Sequence, residues 1–302
     1  MSRFSLGPGD HLRDVPWEGT RRDYLVHVPN GYDAVTPVPV LVVLHGGGGS
    51  AAFASQVYGW LELSEREGCL AVFPEATPED PTRPAAVREN PRIWNDGSKR
   101  SAVARRNVDD IGYLTAVLDD LQASFAIDAN RIFITGFSNG ASMTFRVGIE
   151  LADRVAAIAP VSGHLCLKDP QPARPVSMLY IIGLADPLNP MDGGPVRTPW
   201  GAPRQKPPIM DSILTWVRLI QASEQHEVLH QADGVKRVRY GPGTSQCEVQ
   251  LCTIEGQGHE WPGARRTLPS IISGPQTHKL NATQAIWDFF AANEAVAARP
   301  LR

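Results

Sequence analysis

Short apolar, β-branched runs alternate along the chain with segments whose apolar residues recur every three or four positions. Tyr24-Leu25-Val26-His27-Val28 alternates, which predicts a half-exposed strand. Leu41-Val42-Val43-Leu44 and Leu70-Ala71-Val72-Phe73 are continuous apolar runs, as expected of strands buried on both faces. Residues 131–135, 155–161, 178–182, 235–240 and 249–254 repeat the strand signature. Between these runs, Ile111, Leu114, Leu118, Leu121 and Phe125 fall at helical spacing. Asp109 and Asp110 stand at the end of that helix where its dipole favours negative charge. Further helical patterns lead from Gly140 to about residue 151, over 213–220 and over 281–298, the last with Ile286, Phe289 and Phe290 on one face. Strands separated by helices predict β-α-β units. The expected fold is therefore α/β, a mostly parallel sheet flanked by helices on both faces.

No internal repeat and no shift in composition divides the chain, so residues 1–302 are read as a single domain. The proline-rich stretch 187–208 is the candidate for an irregular excursion, a lip over a site. The 27 glycines and 26 prolines imply many tight turns, without reaching the share typical of low-complexity chains. A net charge of −3 advertises no nucleic-acid partner. Four cysteines cannot staple a coreless fold of 302 residues. Cys69 is expected in the core and Cys166 near a site rim. The spacing of Cys247 and Cys252 points them to opposite strand faces. No run reaches the roughly 18 apolar residues of a membrane span, and the N-terminus lacks a secretory apolar stretch. The expectation is a soluble protein with no membrane partner, either cytosolic or numbered without its leader. Asn281-Ala282-Thr283 matches a glycosylation sequon but reads as a helix start.

Candidate chemistry begins at Gly136-Phe137-Ser138-Asn139-Gly140, which fits G-x-S-x-G between a predicted strand and a predicted helix. A nucleophilic serine on that sharp turn needs small neighbours two residues away on each side, and Gly136 and Gly140 supply them. The backbone N–H of Asn139 would face a developing oxyanion, aided by the helix N-terminus. His45-Gly46-Gly47-Gly48-Gly49-Ser50 also follows a buried strand. It lacks the Lys-Ser/Thr of a phosphate loop and is not G-x-G-x-x-G. It reads instead as the second half of an oxyanion hole, with Gly46 or Gly47 donating and His45 structural.

An elbow of this kind predicts the chain order serine, acid, histidine. Asp186 follows the strand at 178–182 and would lie on the catalytic rim of the sheet, whereas its rivals Asp192 and Asp211 follow no strand directly. Later histidines are His226, His230, His259 and His278. His259 lies in a glycine-flanked loop just after the last predicted strand, placed to hold an imidazole over the elbow. It would take the Ser138 proton while Asp186 fixes its tautomer. Trp261, Trp94 and Trp200 are candidate walls of a substrate pocket, with burial in the core as the alternative for each.

A second motif competes. His226-Glu227-Val228-Leu229-His230 matches H-E-x-x-H, which on a helix places two histidines on one face to bind zinc, with the glutamate as base. No further Gly and His follow in register, and the segment sits at a polar, turn-rich end. The serine reading therefore leads and expects no cofactor or metal, a zinc hydrolase is the alternative, and a non-catalytic hydrolase-fold binding protein is the third.

Taken together, the His45 to Ser50 loop, Trp94-Asn95-Asp96-Gly97, Val108-Asp109-Asp110-Ile111-Gly112, the elbow, Ala157-Ile158-Ala159-Pro160-Val161-Ser162-Gly163 and Gly258-His259-Glu260-Trp261-Pro262-Gly263 resemble the polyhydroxybutyrate depolymerase and feruloyl esterase-like group of α/β-hydrolases. The likeness runs from about His27 to the last helix. It implies Ser138 as nucleophile, Asp186 as acid and His259 as base. It further implies a small-molecule or oligomeric ester substrate of the hydroxycinnamoyl, acetyl or short hydroxyalkanoate type. The group's usual His-Gly-x-x-Asp acid segment reads Ile182-Gly183-Leu184-Ala185-Asp186 here.

Overall fold

The computed structural model describes residues 6–197, 203–243 and 246–293. In chain order the strands are β1 (Gly9–Trp17), β2 (Thr20–Val28), β3 (Val38–Leu44), β4 (Leu70–Pro74), β5 (Ile127–Phe137), β6 (Ala157–Val161), β7 (Ser177–Gly183), β8 (Gly194–Val196), β9 (Arg204–Lys206), β10 (His226–Ala232), β11 (Val235–Tyr240) and β12 (Val249–Ile254). The helices are α1 (Ala51–Val57), α2 (Trp60–Glu67), α3 (Ala102–Arg105), α4 (Asp110–Ser124), α5 (Asn139–Glu150), α6 (Ile209–Leu219), α7 (Ser270–Ser273) and α8 (Ala282–Ala292).

Ten strands form one sheet in the order β1-β2-β4-β3-β5-β6-β7-β12-β11-β10. The six central strands, β4 through β12 in that order, pair in parallel, and two antiparallel strands extend each side. Strand β3 shows why the middle is buried on both faces. Val40, Val42 and Leu44 point to a core shared with Leu114 and Val117 of α4, Phe145 of α5 and Trp216 of α6. Leu41 and Val43 point the other way, to Ala54 of α1, Leu63 of α2 and Ile286 and Phe290 of α8. An apolar run is what such a strand requires, because the pleat sends alternate side chains to two dry faces. Among the described residues no helix is long and apolar enough to cross a membrane.

Several expectations shift. The strand at 24–28 is the second half of β2, and its half-exposed reading fails: Val26, His27 and Val28 are all buried. The polar His27 is accommodated by two carboxylates, Asp10 Oδ1 at 2.6 Å and Glu65 Oε1 at 3.0 Å. Strand β1 and helices α1 and α2 were not legible as elements. The helix at 281–298 begins where expected, with the Asn281 side chain accepting the Gln284 N–H at 3.1 Å. It is described to Ala292, and residues 294–298 lie outside the described residues. The excursion at 187–208 carries the two-stranded β8–β9 hairpin, while 198–202, including Trp200, lie outside the described residues. All four cysteines are free thiols.

Candidate active site

Three parallel strands each bring one candidate catalytic group to the same rim. Ser138 sits between β5 and α5 with φ +56° and ψ −114°, a conformation that costs a non-glycine residue about 1–3 kcal/mol. The surroundings impose it. The Ser138 N–H donates to Val161 O at 2.9 Å on the neighbouring strand, and the Ser138 carbonyl accepts Ser142 N–H at 3.0 Å in the first turn of α5. A Cβ on Gly140 would collide with the carbonyl oxygens of Leu44 and His45, and one on Gly136 would sit 2.5 Å from Gly140 O. The two glycines of the motif are thus demanded by backbone crowding at the turn.

His259 follows β12. Its N–H donates to Ser273 O at 2.6 Å, and the Gly258 N–H donates to Pro275 O at 2.7 Å. The adjacent Glu260 is buried with its charge satisfied: it accepts from Thr267 Oγ1 at 2.7 Å, Thr267 N at 3.1 Å and Leu268 N at 2.9 Å. These bonds clamp the loop on both sides of the imidazole, and the Phe137 ring lies against it at 4.7 Å. His259 Nε2 is 2.9 Å from Ser138 Oγ, and Nδ1 is 2.7 Å from Asp186 Oδ2.

Asp186 follows β7 and is 2% exposed. Its other oxygen, Oδ1, accepts the backbone N–H groups of Leu188 and Asn189, each at 2.8 Å. Burial alone would raise this carboxyl. The His259 imidazole and the two N–H donors outweigh burial and hold it below the ordinary carboxylate range. It is therefore an anion wherever the imidazole works. The rivals Asp192, Asp211 and His278 are exposed and stand outside this arrangement.

The glycine loop lies opposite. Gly48 N–H donates to Arg92 O at 2.8 Å and Gly49 N–H to Gly46 O at 2.9 Å. The Gly46 N–H faces the buried Tyr58 hydroxyl. Gly47 N–H has no acceptor among the described residues, and a Cβ on Gly47 would sit 3.1 Å from Ile93 Cδ1 and 3.7 Å from Asn139 Cβ. Of the two glycines proposed for the oxyanion hole, Gly47 is the one with a free donor. His45 is structural as expected: its Nδ1 reaches Gly46 O at 2.8 Å and its Nε2 accepts Ala76 N–H at 3.2 Å.

Of the three tryptophans named as candidate pocket walls, the two within the described residues are placed differently. Trp94 is fully buried, and its Nε1 donates to His45 O at 2.9 Å, so it pins the glycine loop from beneath. Trp261 is 2% exposed, stacks on Tyr58 at 4.5 Å and donates from Nε1 to Thr283 Oγ1 at 3.0 Å. Both indoles spend their faces on packing and their N–H groups inside the protein, so neither presents a surface to substrate.

The bracing of Asn139 was not read from the sequence. Its side-chain oxygen accepts Trp94 N–H at 2.7 Å, and its amide nitrogen donates to Trp94 O and Asp96 Oδ2, both at 3.2 Å. The Trp94–Asp96 loop is held in turn by Asp110, whose Oδ2 accepts Asn95 N–H at 2.6 Å and whose Oδ1 pairs with Arg22 at 2.7 Å. Of the double aspartate, Asp109 caps α4 by accepting Gly112 N–H at 2.8 Å, and Asp110 anchors the loop beside the elbow. The repeated Asn and Asp in Trp94-Asn95-Asp96-Gly97 were the available signal.

His226 and His230 lie on β10, an exposed edge strand with a bulge between Val228 and His230. Four residues of strand span about 13 Å, against about 6 Å on a helix, so the spacing no longer brings two imidazoles to one ion. Glu227 is engaged by Arg239. Among the described residues no group of three His, Cys, Asp or Glu side chains is arranged to hold a metal. The helical premise of the zinc reading is thereby overturned.

The profile of the phospholipase/carboxylesterase family matches residues 31–192, which include the glycine loop, Ser138 and Asp186 and stop before His259. The chain is 26% identical over 295 residues to NocK of Nocardia uniformis, a protein named as an esterase, covering 92% of this chain and 81% of that one. It is 26% identical to a feruloyl esterase C, so named, of Aspergillus terreus, covering 89% and 83%. Among solved structures, an acetyl xylan esterase from Aspergillus awamori superposes with a TM-score of 0.58 at 14% identity, covering 93% of this chain and 99% of that one, a likeness of fold.

Proposed function

Because this chain belongs to the phospholipase/carboxylesterase family of α/β-hydrolases, we propose that it hydrolyses carboxylic esters through an acyl-enzyme on Ser138. The observation that carries this reading is the unbroken line from Ser138 Oγ to His259 Nε2 and from His259 Nδ1 to the Asp186 carboxylate. Ser138 Oγ attacks the ester carbonyl as His259 Nε2 removes its proton. Asp186 holds Nδ1–H in place and stabilises the imidazolium. Negative charge on the carbonyl oxygen is met by the N–H of Asn139 at the start of α5 and by the N–H of Gly47. His259 then protonates the departing alcohol. A water molecule repeats the sequence on the acyl-enzyme and releases the acid.

The catalytic groups come from β5, β7 and β12 of one sheet, so the chain is treated as one hydrolase domain. The names of the relatives support hydroxycinnamoyl and acetyl esters as substrates, and the motif resemblance adds short hydroxyalkanoate esters. The test is a panel of ethyl ferulate, acetylated xylan, hydroxybutyrate oligomers and short p-nitrophenyl esters, run with wild type and Ser138→Ala. Turnover by wild type and its loss in a folded Ser138→Ala variant is expected. Equal turnover by both would refute the reading, and turnover by neither would favour a non-catalytic binding protein.

A further inference from the structure

Tyr58 meets the elbow, the base loop and the glycine loop, and the hydrolytic mechanism gives it no task. It closes α1, where its N–H donates to Ala54 O at 3.4 Å, and its side chain is buried. Its ring stacks on Trp261 at 4.5 Å with 19° between the planes, and Trp261 stands two residues after His259. It meets Phe137 edge-on at 6.1 Å. Phe137 directly precedes Ser138 and lies 4.7 Å from the His259 ring. The Tyr58 hydroxyl faces the Gly46 N–H.

The phenol is fixed at its backbone and at its ring. Thr283, in the first turn of α8, accepts Trp261 Nε1–H at 3.0 Å and donates its own hydroxyl to Tyr58 O. One threonine thus ties the Tyr58 backbone to the indole on which its ring stacks. Packed rings of this kind cannot tilt singly, because each fills space that its neighbours need. The hydroxyl end has a different duty. Gly46 is buried against the elbow: a Cβ there would sit 3.2 Å from the Phe137 ring and 3.5 Å from Ser138 Cβ. Its N–H has no backbone acceptor among the described residues, so the Tyr58 hydroxyl is the polar group set against it. Without that hydroxyl a buried N–H would face hydrocarbon. The Gly46–Gly47 segment has no side chains to hold it and would turn in search of an acceptor. Gly47, which is exposed and carries the free N–H, is the next residue.

We propose that Tyr58 is a positioning residue of the esterase. Its hydroxyl holds the Gly46 N–H and so keeps the Gly47 N–H aimed at the developing oxyanion, while its ring ties the glycine loop to the elbow and to the His259 loop. Tyr58 acts through these neighbours and touches no substrate. The role rests on the esterase reading above, since an oxyanion forms only if Ser138 attacks a carbonyl.

The test uses Tyr58→Phe, which keeps the ring and removes the hydroxyl. Trp60→Phe is the packing control: Trp60 meets Trp261 edge-on at 6.0 Å, and its Nε1 has no partner among the described residues. Each protein is measured for kcat and KM on p-nitrophenyl acetate, for its denaturant midpoint, and for inhibition by 1,1,1-trifluoro-4-phenylbutan-2-one. In the ketone complex Ser138 Oγ bonds to the carbonyl carbon, the Ser138 proton passes to His259, and the carbonyl oxygen carries the negative charge. Ketone affinity therefore reports on the oxyanion hole directly. Tyr58→Phe is expected to lower kcat about tenfold, to leave KM within about twofold, and to weaken the ketone by the same factor as kcat. Trp60→Phe should lower the denaturant midpoint and leave kcat and ketone affinity within about twofold of wild type. Wild-type kcat or ketone affinity in Tyr58→Phe, a loss that falls on KM instead of kcat, or an equal loss in Trp60→Phe overturns the positioning role. A wild type that neither turns over the ester nor binds the ketone overturns the esterase reading, and the positioning role falls with it.

Discussion

Two histidine-bearing segments of this chain carry motif-like chemistry, and the sheet treats them in opposite ways. His259 leaves the rim of a buried parallel strand, is 3% exposed, and meets Asp186 and Ser138 through its two nitrogens. His226 and His230 lie on the outermost strand, exposed along its length. The spacing in H-E-x-x-H means something only at 1.5 Å rise per residue, where positions four apart share a face. On an extended strand the same letters hold the histidines apart. A motif is therefore a statement about an element as much as about residues. The serine motif does lie in the setting its spacing presumes, with Ser138 between β5 and α5.

The contrast can be broken most forcefully at the elbow. Ser138→Ala is expected to lower kcat on p-nitrophenyl esters by about 10^4-fold or more, with an unchanged circular dichroism spectrum. Asp186→Asn should cost up to roughly 10^4-fold, because the amide cannot stabilise the imidazolium or fix the tautomer. Removing the brace beneath the glycine loop is a milder cut. Trp94→Phe deletes one buried hydrogen bond to His45 O, worth about 1 kcal/mol, and should lower kcat several-fold while leaving KM nearly unchanged. At the other segment, His226→Ala and His230→Ala should leave turnover within about twofold of wild type, and EDTA should not inhibit. A metal-dependent rate lost in either variant would reverse the comparison.

Acid provides a further test. The unfolded chain protonates a histidine near 6.5, whereas folded His164 stays neutral down to about 3. The unfolded state therefore binds more protons between those values, and stability falls as pH drops through that window. Asp186 acts in the same direction at lower pH, since its carboxyl is held below its ordinary value in the fold and that contribution is lost as it protonates. Denaturant midpoints measured from pH 7 to pH 4 should decline, and the decline should be shallower in His164→Gln.

The parallel core was legible, and so were the three residues that the fold brings into one hydrogen-bonded line, Ser138, His259 and Asp186, because each depends on local grammar: an apolar run, a glycine pair, a residue just past a strand. What was missed depends on partners distant in sequence. Trp94 and Trp261 read as pocket walls because aromatic residues near a motif look available, yet their faces and N–H groups are taken by His45, Tyr58 and Thr283. The link from Asp110 to Asn95, and from the adjoining Trp94 and Asp96 to Asn139, crosses more than forty positions and has no spacing rule. Strand β10 alternates poorly because the residues on both of its faces are exposed.

The account stands or falls on Ser138 as the nucleophile. The direct measurement is intact mass and peptide mapping after treatment with a serine-directed phosphonate, read against residual ester hydrolysis. One adduct on the peptide carrying Ser138, activity lost in proportion, and no labelling of Ser138→Ala is the predicted result. Labelling at another residue, or full activity in protein quantitatively modified at Ser138, would contradict it.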